Sequence, residues 1–348
     1  LKLAVLGLNH GFVFASEIKK MKGVTLVAVA GQGPLAERSA QMLDVPLYGD
    51  YEQLIEERQL DGAIIALPNQ LHKKAAFLCA NKGIGVLIEK PIADTVADGE
   101  DITRFFHSHG VPLMVGHHRR FSKKINHLKS LLSEGVIGEL ISVHMVWALA
   151  KDKPYFAQEW RVNNGGGPLL INGIHDIDNL RYVTDLEIES AYAVARHTIR
   201  GQKVEDSLTA ILEAAGGVVI HYFLSDGVPS PWAYEMTMNE NDKYPCYKED
   251  CYHFYGEKGS LAFPSFRCYT YNEEQYGWEH RLIEKNYSPT DNNDPIKEEL
   301  YHFIDVLAGK DQPAVPGEEG TRTLAVLEAI RKSVREKSRI TVRGGLNK

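Results

Sequence analysis

Apolar residues in the first third of the chain come in short runs, at 1–6, 24–30, 62–67, 86–88 and 112–115, interrupted only by Lys2 and Thr25. Runs this short and nearly continuous suit strands covered on both faces. Helix-compatible stretches lie between them, reaching to Met21, then over 51–58, 73–82 and 96–109. The alternation predicts an α/β fold, a doubly wound parallel sheet with helices on both faces.

The pattern changes after Phe121. A helix over 123–133 leads into a strand over 140–149, and 152–164 reads as loop. A helix is expected from Pro168 to about Val183. Strands are expected at 190–197, 207–214 and 218–224, with Gly216-Gly217 as a hairpin between the last two, and again near Leu261 and Cys268. Residues 232–255, rich in tyrosine and charge, suggest a long connection near the substrate or an oligomer contact. Helices over 295–307 and 317–336 follow, capped by Asp294 and by Glu318 and Glu319, and a strand at 340–342 ends the order. Two domains are expected, 1–121 and 122–348, with the closing helices free to pack back on the first.

The bulk numbers narrow the function classes. A chain of 348 residues can bury two cores. A formal charge of -7 and a pI near 6.1 give no reason to expect nucleic acid. No apolar run reaches membrane-spanning length, and the first residues enter a strand without a signal peptide's charged head. The four cysteines form no CxxC pair, so reduced thiols and a cytoplasmic protein are expected.

Candidate chemistry gathers at the predicted strand ends, where open α/β sheets bind ligands. Gly7-Leu8-Asn9-His10-Gly11 joins the first strand to a helix, a place for a dinucleotide pyrophosphate. Its match to G-x-G-x-x-G is poor: Asn9 takes the second place and Phe12 the third, with Gly11 one position early. After the second strand, Gly31-Gln32-Gly33 stands where an NAD-selecting acid is usual. With Arg38 downstream, cofactor choice between NAD and NADP leans slightly to NADP. Pro68, Asn69 and His72 follow a further strand, with Asn69 a candidate N-cap as well as a cofactor contact. Glu89 and Lys90 end the run at 86–88, and Pro91 makes a candidate cis peptide. Lys90 could there face cofactor and substrate together, or simply close a surface ion pair. Of His117, His118, Arg119 and Arg120, His118 is the first candidate to touch a ligand. Trp160 and Arg161 either wall a substrate pocket or anchor a loop through a buried tryptophan. Asn172, His175, Asp176 and Asn179 share one helical stripe. An amphipathic surface helix would explain that stripe, as would a substrate site in which Asp176 or Asp178 orients His175. No His/Cys cluster suggests a metal.

Taken together, the chain resembles the Gfo/Idh/MocA family of oxidoreductases. The residues that carry the resemblance are Gly7 to Gly11, Pro68 to His72, Glu89-Lys90-Pro91, Gly116 to Phe121 and Gly165 to His175, in the family's order across roughly the first 185 residues. It implies a Rossmann domain followed by an α/β domain on a large, mostly antiparallel open sheet. It also implies NAD(P)-dependent hydride transfer on a secondary alcohol or ketone of a sugar, cyclitol or sugar acid, in a homodimer or homotetramer. Lys90 would sit near the nicotinamide, His175 would serve as acid/base, and Asn172 would orient the substrate. The family's usual aspartate four residues before the histidine is Ile171 here, so substrate identity does not carry over. The rival expectations are a non-catalytic NAD(P)- or sugar-binding sensor and a redox-neutral enzyme with tightly bound NAD.

Overall fold

Each apolar run near the start of the chain forms a strand buried on both faces. The computed structural model describes residues 1–163, 165–272, 274–289 and 291–344. The chain divides into two units. One comprises Leu1–His118, Pro295–Ala325 and Gly344, and the other Arg119–Asp294 and Val326–Arg343.

In the first unit the order is β1 (Lys2–Leu6), α1 (Gly11–Ile18), β2 (Thr25–Ala30), α2 (Gly33–Leu43), β3 (Leu47–Tyr48), α3 (Tyr51–Glu57), β4 (Gly62–Ile65), α4 (Asn69–Asn81), β5 (Gly85–Glu89), α5 (Val96–His109) and β6 (Leu113–Gly116). The described strands pair in parallel in the order β3-β2-β1-β4-β5-β6. The order reverses beside β1, and the carboxyl ends on either side of that point form the ligand crevice of such sheets. Helix starts are fixed locally: Asp50 and Thr95 accept the amides of Glu52 and Asp98. The two-residue strand β3 carries no periodicity and was not expected from the sequence.

The second unit holds α6 (Lys123–Ser133), β7 (Leu140–Ala148), α7 (Ile174–Thr184), β8 (Ile188–Arg196), β9 (Ser207–Ala214), β10 (Val219–Ser225), α8 (Tyr234–Thr237), β11 (Tyr252–Gly256), β12 (Gly259–Phe263), β13 (Arg267–Thr270) and β14 (Ile283–Asn286). Further along come α9 (Pro295–Leu307), α10 (Gly317–Glu336) and β15 (Ile340–Thr341). Among the described residues the sheet runs β14-β13-β12-β11-β7-β10-β9-β8-β15 and is antiparallel except where β10 lies parallel to β7. One face buries Val143, Met145, Ile220, Tyr222 and Phe254, while Tyr192, Val194, Ile211 and Tyr255 are exposed.

Three expectations change. The loop at 152–164 contains two short 3-10 turns, Pro154–Ala157 and Glu159–Val162, and its last residue, Asn164, lies outside the described residues. The helix expected from Pro168 is a π-turn, Leu169–Gly173, continued by α7. The stretch 232–255 is not one connection, because α8 and most of β11 fall within it. None of the four cysteines is in a disulfide, and among the described residues no helix is long and apolar enough to cross a membrane.

Helix α9 contributes Phe303, fully buried, to the first unit. Phe303→Ala should therefore lower stability by about 3 kcal/mol, read as a fall in the urea midpoint at unchanged slope.

Candidate active site

The first unit brings the turns after β1, β4 and β5 together at neighbouring strand ends. Gly7 has φ +97°, and a Cβ there would lie 2.3 Å from the carbonyl oxygen of Ala66. The β1 and β4 turns thus touch backbone to backbone, and only glycine fits. Gly11 opens α1 where a Cβ would meet Val5 Cγ1 at 2.7 Å. It allows the close helix-to-strand packing that the third glycine of a dinucleotide fingerprint allows, one position early. The start of α1 presents backbone amides at the strand ends, a fit for a pyrophosphate. Leu8 is buried beneath the turn, leaving its backbone for any ligand contact, whereas Asn9 and His10 are exposed.

His10 Nε2 lies 3.5 Å from Glu89 Oε1, and Glu89 itself is buried at the end of β5. Lys90 is half-buried and precedes the cis peptide to Pro91. Pro68, not Asn69, is the N-cap of α4. Its φ of -54° suits the position, and no side chain caps that end, so Asn69 is the first helical residue. His72 is 1% exposed, with Nδ1 3.0 Å from the Pro91 carbonyl and Nε2 2.8 Å from that of Leu67. Its ring is spent on the backbone of the β4 and β5 turns, so it ties them together rather than presenting itself to a cofactor. Burial holds its pKa below the ordinary value, against the pull of the carbonyls. At the end of β2, Gln32 caps α2 without a side-chain hydrogen bond to the helix and donates to the Gly49 carbonyl at 2.9 Å, while Arg38 is exposed on α2.

In the second unit α7 is buried on every side, so the surface-helix explanation of its polar stripe does not hold. Asp176 accepts from Arg119 Nη1 at 2.8 Å, Tyr252 Oη at 2.5 Å and Tyr222 Oη at 2.8 Å. It is an internal anchor at 0% exposure rather than a group presented to substrate. Burial raises its pKa, and the guanidinium and phenols oppose that rise. Arg119 also pairs with Glu235 at 2.9 Å and lies over the Tyr234 ring. Burial works against its charge, but Glu235 and Asp176 hold its pKa above the usual value. Arg120 binds Asp178 through two hydrogen bonds of 2.9 and 2.7 Å. Of the histidine-arginine run, His118 is half-buried, and His117, Arg119 and Arg120 are buried.

His175 is the second residue of α7, one position beyond Ile174, and is 7% exposed. Asn172, within the π-turn, is half-buried and accepts from Lys151. Lys151 carries no sequence motif, and only its contact with Asn172 marks it as part of the site. Trp160 is 51% exposed, which removes the buried-anchor explanation of its loop. Arg161 packs over Tyr155 and donates to its carbonyl. Among the described residues no group of three His, Cys, Asp or Glu could hold a metal.

Two family models match the chain, "Oxidoreductase family, NAD-binding Rossmann fold" over residues 1–117 and "GFO/IDH/MocA C-terminal domain" over 125–262. The chain is 27% identical over 181 residues to 2,7-anhydro-N-acetylneuraminate hydratase of Mediterraneibacter gnavus, covering 52% of this chain and 48% of that relative. It thus spans about half the length of that curated relative. It is 24% identical over 343 residues to myo-inositol 2-dehydrogenase of Thermotoga maritima, covering 97% of each. The structure of scyllo-inositol dehydrogenase from Lactobacillus casei, with NAD(H) and scyllo-inositol bound, shares the fold at TM-score 0.77 and 19% identity, over 98% of this chain and 99% of that one.

Two outcomes test this geometry. Gly7→Ala should weaken NADH and NADPH binding by at least about tenfold, measured by nicotinamide fluorescence. Asp176→Asn leaves Arg119 buried with one carboxylate in place of two, and should cost about 3 kcal/mol in urea unfolding.

Proposed function

Since the chain belongs to the GFO/IDH/MocA oxidoreductase family, we propose that it oxidises a secondary alcohol of a sugar, cyclitol or sugar acid to the ketone, or runs the reverse reduction. The observation that carries this reading is the convergence of the turns after β1, β4 and β5, with Gly7 and Gly11 clearing space and Lys90 at the end of β5. The backbone of Gly7–Gly11 and the residues Pro68, Asn69, Glu89 and Lys90 would hold a nicotinamide dinucleotide. That group, when bound, supplies the acceptor or donor of hydride.

The chain's own side chains supply the rest. As hydride leaves the carbinol carbon, the hydroxyl proton must go to a base in the same event. We assign that base to the imidazole of His175. The Lys90 ammonium stabilises the negative charge that develops on the substrate oxygen, and Asn172 fixes the substrate's orientation. Gly31-Gln32-Gly33 offers no carboxylate to repel a 2′-phosphate, which supports a preference for NADP.

A redox-neutral reaction is the second reading, favoured by the hydratase among the relatives. Dinucleotide that stays with the protein through purification and shows no net reduction would select it.

Titration with NADH and NADPH should show binding of both, NADPH the tighter. Binding of neither would remove the dehydrogenase reading. Lys90→Met and His175→Ala should each lower turnover by about a hundredfold or more with dinucleotide affinity largely kept. Near wild-type turnover in either would reject the role given to that residue.

A further inference from the structure

Lys151 follows β7 at a point where several polar groups of the second unit converge. Its side chain is 11% exposed. The ammonium donates to Asn172 Oδ1 at 2.7 Å and to Tyr155 Oη at 3.2 Å. Asp226 Oδ2 is 3.8 Å away, and that carboxylate is also paired with Arg200. Asp206 nearby is turned to the amides of Ile199 and Arg200. Two cations thus share Asp226.

An ammonium has donors only. In binding Lys151, Asn172 and Tyr155 have both committed an oxygen as acceptor. Asn172 has its amide N–H groups left, and Tyr155 its phenolic O–H. Neither donates to an acceptor among the described residues. Burial pushes the Tyr155 phenol up to about 12, so it keeps its proton. Arg161 lies 3.9 Å from the centroid of the same ring, with its Nε buried and without an acceptor among the described residues. Lys151, Tyr155, Asn172 and Arg161 are all half-buried, shielded from bulk water yet reachable.

Among the described residues, spare donors outnumber spare acceptors here, with the Asn172 N–H groups, the Tyr155 O–H and Arg161 Nε set against the buried Asp206 Oδ1. A sugar hydroxyl both donates and accepts, so it leaves such a site half-matched; an ionised carboxylate only accepts. We infer that Lys151, Tyr155 and Asn172 form a carboxylate-recognition site, and that the substrate is a sugar acid rather than a neutral sugar or cyclitol. This inference rests on the oxidoreductase reading for its claim that the bound acid is the substrate.

Calorimetric titration in the presence of NAD+ or NADP+ tests it, with D-glucuronate against D-glucose, D-galacturonate against D-galactose, and D-gluconate against D-glucitol. In the wild type at least one acid should bind about tenfold or more tightly than its neutral partner. Lys151→Met should bring that ratio to within about threefold. Asn172→Asp, a near-isosteric change, places a carboxylate against Lys151 and should erase the preference too. Neutral ligands binding as well as the acids, no acid binding at all, or a preference that survives both substitutions would overturn the inference. Nicotinamide absorbance reports separately on the reaction. Acids that bind through Lys151 without reducing either dinucleotide would reject hydride transfer and leave the carboxylate site standing.

Discussion

Two arginines taken out of water at the start of the second unit must be neutralised, and α7 does it. Arg119 meets Asp176 and Arg120 meets Asp178. A buried charge stripped of its partner costs several kcal/mol, so the 3-10 turn of His118–Phe121 and α7 hold one arrangement. Tyr222 and Tyr252 extend the network from α7 into β10 and β11 through the same carboxylate. The positions of Asn172 and His175 follow from that constraint. They stand at the entry to a helix held by these ion pairs together with the buried Ile174, Ile177 and Leu180.

This is also where the sequence was hardest to read. Polar residues at helical spacing look like a solvated face. The partners of Asp176 and Asp178 lie 46 to 76 positions away along the chain, so no local window reveals the pairing. Lys151 is hidden for a similar reason, since its role lies in Asn172, 21 residues later. The first unit was far more legible. Strands buried on both faces leave nearly continuous apolar runs, and β1, β2, β4, β5 and β6 all declare themselves that way. β3 is too short to have a pattern, and β14 is exposed at all four residues, so neither leaves that signature.

The turn after β1 shows how a motif can look degraded while its physics is intact. What a dinucleotide turn needs is one glycine where two backbones meet and another where the helix lies against the strand. Gly7 and Gly11 supply both. The exposed Asn9 stands where a glycine is usual, and its φ is not positive, so the backbone at that place does not require a glycine. His72 then ties the β4 turn to the one bearing Lys90 by its two ring contacts to carbonyls.

The π-turn before α7 has a consequence for how related chains are compared. Its amide at Ile174 reaches back to the carbonyl of Leu169, so this turn contains one residue more than an α-turn. The extra residue turns the side chains that precede it about the helix axis relative to a continuous α-helix. Counting backward from His175 at α-helical spacing therefore misplaces Ile171 and Asn172 about the axis. Ile171 and Asn172 are to be matched with other chains by where their side chains lie in space, not by their distance along the chain.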